Sequence, residues 1–206
     1  MSIKIEGFLF DLGNVLIDFD HSISAGKVSK LARSTEKNIY DLFFDSSITE
    51  KFEEGKISPR EFHQEVNKLL GLRMSYHCFS AIWNEIFFLT KKNSDCLKLV
   101  LKLKEKYKVG MVSNINILHF KYLKDKFDIF RHFDKVILSC EVGARKPKNK
   151  IYKEAVKFFK CPPKKIIYAD DRLDLIKAGE GFGFNSFVFS TVYKFKMDII
   201  KLGIFV

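Results

Sequence analysis

The chain has 206 residues, 47% of them hydrophobic and 30% charged, an ordinary globular balance that excludes a disordered or fibrous protein. At this length one domain, with or without a smaller insertion, buries most of its apolar surface without covalent staples. The formal net charge of +11 draws anions, but the lysines occur singly or in pairs, and the densest basic stretch, "RKPKNK" at 145–150, has no interleaved aromatics, so no nucleic acid is expected and small anionic molecules are favoured as partners.

In chain order, the first apolar run, Ile5 to Phe10, reads as a buried strand that stops at Asp11 and turns at Gly13 and Asn14. Helical patterns follow near 21–33 and 36–45. A third helix is announced by Ser58, Pro59 and Glu61: a hydroxyl N-cap, proline at the first helical position and a carboxylate three residues past the cap. Phe62, Val66, Leu69 and Leu70 mark its buried face, and Gly71 ends it. A fourth helical stretch covers 75–88, where Trp83 shares an apolar face with Phe79, Ile86 and Phe87 and is expected to pack in a core. Leu97, Val100 and Leu101 predict another core-facing helix. Strands are expected at 109–112 and 135–138, a helix with Tyr152, Ala155, Val156 and Phe159 on one face, then strands at 166–169 and 186–189. The tail, "VYKFKMDIIKLGIFV", alternates basic and apolar residues and suits docking on the core or on a second subunit.

Short apolar runs alternating with helix-period stretches predict an α/β fold, a parallel sheet flanked by helices. About 95 residues separate Phe10 from Val109, where roughly a dozen suffice for a crossover. A helical bundle is therefore inserted, giving a core of 1–17 and 91–206 and an insert of 18–90.

Ligands of a parallel sheet bind at the carboxyl ends of its strands, and four strand ends carry polar groups here. Asp11 follows the first strand, Ser113 and Asn114 the second in "GMVSNIN", Lys146 the third in "SCEVGARKP", and Asp170 and Asp171 the fourth in "IIYADDRLD". Each alone is compatible with helix capping. Together they suit phosphoryl transfer: Asp11 and Asp171 share a hard divalent cation such as Mg²⁺, Lys146 and the Ser113 hydroxyl offset charge on phosphoryl oxygens, and an Asp11 oxygen attacks phosphorus.

"DLGNVL", "VSN", "GARKP" and "YADD", in this order and with a helical insertion after the first, resemble the four motifs of the haloacid dehalogenase superfamily, over about residues 5–190. With "FEEGKIS" at 52–58 they resemble the branch that includes a bacterial α-D-glucose-1-phosphate phosphatase. The resemblance implies a Rossmann-like core with a helical cap, and a Mg²⁺-dependent phosphatase acting on a small phosphorylated metabolite such as a sugar phosphate. It makes Asp11 the nucleophile that becomes an aspartyl-phosphate. Gly13 lends its backbone carbonyl to the metal, Asp171 is a metal ligand with Asp170 beside it, Ser113 and Lys146 are catalytic groups that hold the phosphoryl group, and Asn114 is a supporting donor.

Two departures stand out. The usual first motif has a second aspartate, the general acid and base, where this chain has Gly13; such a group contributes about 10²- to 10⁴-fold. Either substrates with good leaving groups are favoured, or a cap carboxylate supplies the proton, with Glu53 and Glu54 as candidates. Leu175 stands where a further acid is common in the last motif, with Asp174 one residue earlier. A binding or regulatory protein disabled by Gly13, and a metal-independent 2-haloacid dehalogenase, are the competing readings. Asp18, Asp20 and His21 suit the cleft or the cap of the first inserted helix, and His63 suits an exposed helix face.

Cys78, Cys96, Cys140 and Cys161 are widely spaced and predict reduced thiols. No signal-peptide layout opens the chain, and no apolar run reaches the roughly 18 residues of a membrane span. A cytoplasmic protein with no membrane association, a monomer or homodimer, is expected.

Overall fold

The computed structural model describes residues 4–32, 34–44 and 46–206. Positions 33 and 45, the expected ends of the first two inserted helices, and 1–3 at the start of the core lie outside them. β1 (Gly7–Phe10) leads through β2 (Asp18–Phe19) into five helices, α1 (His21–Ser29), α2 (Glu36–Phe44), α3 (Ser47–Glu53), α4 (Pro59–Leu70) and α5 (Tyr76–Asn84). After β3 (Phe87–Phe88) come α6 (Lys91–Lys104), β4 (Lys108–Ser113), α7 (Ile117–Lys126), β5 (Lys135–Leu138) and α8 (Ser139–Val142). The chain closes with α9 (Asn149–Phe159), β6 (Ile166–Asp170), α10 (Leu173–Phe182), β7 (Asn185–Val188) and α11 (Val192–Ile200). Among the described residues no helix is long and apolar enough to cross a membrane.

The main sheet is parallel, ordered β5-β4-β1-β6-β7. Its central strand is buried on both faces: Phe8 and Phe10 point to one side, toward Val100 and Phe195, and Leu9 to the other, toward Tyr152 and Phe159. Phe10 is in register with Met111 of β4 and Ala169 of β6, so these three strands end side by side. The last strand sits one residue earlier than expected, and Phe189 instead follows it into the core. The tail docks on the core through Phe195, Ile199 and Ile204, which settles the first of its two alternatives for this face of α11.

The inserted helices carry their own apolar centre. Phe52, Phe62, Phe79 and Trp83 are each almost fully buried, with Phe52 and Phe62 stacked at 4.3 Å and Phe62 and Trp83 edge to face at 5.0 Å. α4 begins as its sequence dictates: Ser58 Oγ accepts from the Glu61 N–H, Glu61 Oε2 accepts from the Ser58 N–H, and Gly71 closes the helix at φ +63°. Two expected core leucines are exposed. Leu69 stands beyond the edge of the buried face formed by Phe62 and Val66, and Leu101 faces solvent because α6 is buried through Cys96, Leu99, Val100 and Leu103.

Two features escape a periodicity reading because they are short. α3 has seven residues, and β2 and β3 have two each, paired antiparallel as Asp18 with Phe88 and Phe19 with Phe87. This ribbon ties together the two chain segments that join insert and core. Asp18 pins it, accepting from Thr90 Oγ1 at 2.9 Å and Asn93 Nδ2 at 3.0 Å and pairing with Lys92 at 2.8 Å. Asp20 caps α1 by accepting from the Ser22 N–H.

Candidate active site

Because β1, β4 and β6 end together, Asp11, Ser113 and Asp170 are delivered to one rim of the sheet. Lys146 enters this rim from the segment after α8. Only 2% exposed, its ammonium lies 2.6 Å from Asp11 Oδ1 and 2.6 Å from Asp170 Oδ2, with the Val112 carbonyl at 3.4 Å. Asn114 Oδ1 accepts from the Lys146 N–H at 2.7 Å and its amide donates to the Lys146 carbonyl at 3.0 Å. Asn114 thus spends its side chain on the lysine's backbone, where sequence reasoning expected a donor aimed at a ligand.

Asp170 is fully engaged: Oδ2 accepts from Lys146 and the Tyr168 hydroxyl, and Oδ1 from the Arg172 N–H at 3.0 Å. Asp171 faces the cleft and accepts from Asn14 Nδ2 at 2.9 Å. Asn14 takes a left-handed conformation, φ 53°, which asparagine tolerates better than most side chains. Asp11, Asp170 and Asp171 each place an oxygen so that all three lie within 4.8 Å of one another. An all-oxygen donor set fits a hard divalent cation.

Burial above all raises the Asp11 carboxyl, to about 7 in balance with Lys146, which opposes the rise, and Asp170 and Asp171, which add to it. Burial likewise raises Asp171, against the Asn14 hydrogen bond. For Lys146 desolvation is outweighed by its two carboxylate partners, which hold the ammonium charged. Three crowded carboxylates and one lysine leave the pocket with surplus negative charge, the condition a divalent cation relieves.

The site opens into a cleft of about 360 Å³ between sheet and insert. Asp11, Gly13, Ser113, Asn114, Lys146 and Asp171 line its floor, so among the residues expected as nucleophile, phosphate-binding groups and metal ligands Asp170 alone lies behind the surface. Phe19, Tyr40, Phe44 and Phe87 form an aromatic wall with His21 and His119. Burial pushes His21 down to about 4 and His119 to about 3, so both are neutral at physiological pH. His119 accepts at Nδ1 from the Asn116 amide, which leaves Nε2–H to donate to the Trp83 carbonyl at 3.0 Å. His21 Nδ1 is buried and has no hydrogen-bond partner among the described residues.

The two insert carboxylates diverge. Burial would raise Glu54, yet Lys148, Lys56 and the Arg145 N–H hold it near 2 as a brace outside the cleft. Glu53, at the end of α3, lines the cleft with its carboxylate 3.3 Å from Arg145 Nη1. Leu175 also lines the cleft, whereas Asp174 turns out to solvent in a fork with Arg172, at 3.1 and 2.7 Å. His63 is half-buried, bonded to the Met74 carbonyl and away from the cleft.

Sequence reasoning missed Asn14, Tyr168, Arg145 and Arg172. Only Tyr168 carried a signal: two residues before Asp170 on one strand, it shares that residue's face.

Residues 5–183 match the family of haloacid dehalogenase-like hydrolases. The chain is 25% identical over 189 residues to a D-ribitol-5-phosphate phosphatase of Bacteroides thetaiotaomicron, spanning 89% of this chain and 91% of that one. It is 29% identical over 188 residues to a glyceraldehyde 3-phosphate phosphatase of Pyrococcus furiosus, spanning 82% and 74%. Among solved structures, a HAD family enzyme of Bacteroides thetaiotaomicron in complex with magnesium and inorganic phosphate superposes with a TM-score of 0.79 at 28% identity, covering 91% of this chain and 96% of the other.

Proposed function

Because the chain belongs to the haloacid dehalogenase-like hydrolases, we propose that it is a Mg²⁺-dependent phosphatase that hydrolyses a small phosphorylated metabolite through an aspartyl-phosphate on Asp11. The observation that carries this reading is the buried Lys146 ammonium, held 2.6 Å from both Asp11 and Asp170 beneath a cleft that ends in three clustered carboxylates. Such a lysine favours the ionised form of Asp11 and orients it while balancing phosphoryl charge. The relatives named as phosphatases support the class of reaction.

Asp11 Oδ2 attacks phosphorus, leaving Oδ1 on Lys146. Ser113 and Lys146 receive the equatorial oxygens, and Asn114 keeps the lysine's backbone in place. Asp11, Asp171 and the Gly13 carbonyl would hold Mg²⁺, with Asp170 behind them, and the ion would neutralise phosphoryl charge there. The division into a core of 1–17 and 91–206 and a cap of 18–90 belongs to the same proposal, the cap covering the substrate's organic part.

That part meets an aromatic wall with two neutral histidines. A monophosphate with an uncharged body fits it, a sugar phosphate or similar polyol phosphate among them. The test is phosphate release from a panel of monophosphates in Mg²⁺, in EDTA and with Asp11→Asn. Activity lost under both treatments supports the reading; activity indifferent to both removes it, and inactivity of the wild type on every ester favours the binding-protein alternative.

A further inference from the structure

We propose that Glu53 is the general acid and then the general base of the reaction, delivered into the cleft by the helical insert in place of the carboxylate that position 13 lacks. The assignment rests on the phosphatase reading and adds the proton donor that reading leaves unfilled.

A side chain at position 13 would collide with Phe19. A Cβ built there would sit 2.7 Å from Cε1 and 3.4 Å from Cδ1 of Phe19, whose ring occupies the space where a second carboxylate would begin. Phe19 is itself fixed, paired in the β2–β3 ribbon and set edge to face against His21 at 5.1 Å. The acid must therefore enter from elsewhere around the cleft. Outside the Asp11–Asp171 cluster two carboxylates among the described residues line it, Asp20, which is engaged in capping α1, and Glu53.

Glu53 is also held there. Ser139 Oγ, at the start of α8, donates to the Glu53 carbonyl at 2.6 Å, and the Arg145 N–H donates to Glu54 Oε1 at 3.2 Å. These contacts fasten the end of α3 to the segment that carries Lys146, so acid and phosphate-binding lysine share one support. The charged and titratable groups around the Glu53 carboxyl are Glu50 on its own helix, the Cys140 thiol of α8, Arg145 and Lys146 after α8, and Arg172 after β6. Burial raises Glu53 to about 7, with Arg145 pulling it down and Glu50 pushing it up, so a protonated fraction is present at neutral pH.

In the first step an Asp11 oxygen bonds to phosphorus, the bond from phosphorus to the ester oxygen breaks, and that oxygen takes the Glu53 proton and leaves as an alcohol. In the second, ionised Glu53 takes a proton from water as the water oxygen bonds to phosphorus. The phosphorus–Asp11 bond breaks, inorganic phosphate departs, and both carboxyl groups return to their starting states.

The test is rapid-mixing kinetics of wild type, Glu53→Gln and Glu53→Asp in Mg²⁺ on p-nitrophenyl phosphate, whose phenolate leaves unaided, and on a simple alkyl phosphate. For Glu53→Gln we expect one equivalent of nitrophenol per site at the wild-type rate followed by slow turnover. Alkyl phosphate turnover should fall about 10²- to 10⁴-fold. Glu53→Asp should recover part of it, and the wild-type alkyl phosphate rate should decline above a midpoint near 7. The burst itself certifies that the variant is folded. Alkyl phosphate turnover within a few-fold of wild type, or equal losses on both esters without a burst, would overturn the assignment and leave Glu53 only a tether for Arg145. Wild-type protein inert toward both esters would overturn the phosphatase reading and this assignment with it.

Discussion

Substituting Gly13 by alanine probes the packing that empties position 13. The backbone there lies outside the left-handed region, so alanine meets no conformational penalty and the whole effect is steric. Its Cβ would stand 2.7 Å from Phe19 Cε1, and the ring cannot swing away freely because His21 and Phe87 flank it at 5.1 and 6.2 Å. Overpacking of this kind costs about 1–3 kcal/mol. For a chain of this size each kcal/mol lowers Tm by about 2–4 °C, so thermal unfolding followed by circular dichroism should show a drop of about 2–12 °C. In a Phe19→Ala background the same substitution should cost almost nothing, making the coupling nearly equal to the single-variant loss. An unchanged Tm for Gly13→Ala, or an equal loss with and without Phe19, would refute the claim that the ring fills this space.

Lys146→Met strands two buried carboxylates, so a loss of about 3–5 kcal/mol in urea unfolding at pH 7 is expected, with phosphatase kcat down about 10²- to 10³-fold. Glu54 lies below its unfolded value of about 4.3, so its contribution is present above that pH and disappears as pH falls toward 2. With Lys56 and Lys148 more than half exposed, Glu54→Gln should lower stability by about 1–2 kcal/mol at pH 7 and by almost nothing near pH 2, read from urea midpoints. Ser58→Ala removes the α4 N-cap and should cost about 1 kcal/mol in the same assay, with kcat unaltered because α4 is remote from the cleft.

The parts of the site that could be read from the chain are those set by local rules. Asp11, Ser113 and Asp171 each follow an apolar run, and strand ends of a parallel sheet converge whatever the loops between them do. The α4 cap is legible for the same reason, since its reciprocal hydrogen bonds span only three residues. What stayed hidden depends on how distant segments meet. Phe19 gives no sign in the sequence that its ring fills the space beside Gly13, because a two-residue strand has no periodicity. Glu53 and Glu54 are adjacent and chemically alike, and only the approach of α3 to α8 sends one into the cleft and the other to Lys56 and Lys148. Leu69 and Leu101 fit a helical stripe on spacing alone, yet the partner surfaces end before reaching them.

The central claim is that Asp11 becomes phosphorylated. Acid-quenching the enzyme within its first turnover of p-nitrophenyl phosphate, followed by peptide mass spectrometry, should place a phosphoryl group on the peptide carrying Asp11, in Mg²⁺ but not after EDTA, and never in Asp11→Asn. Hydrolysis that proceeds with no phosphoryl group on that peptide, or with one on another residue, would contradict the account.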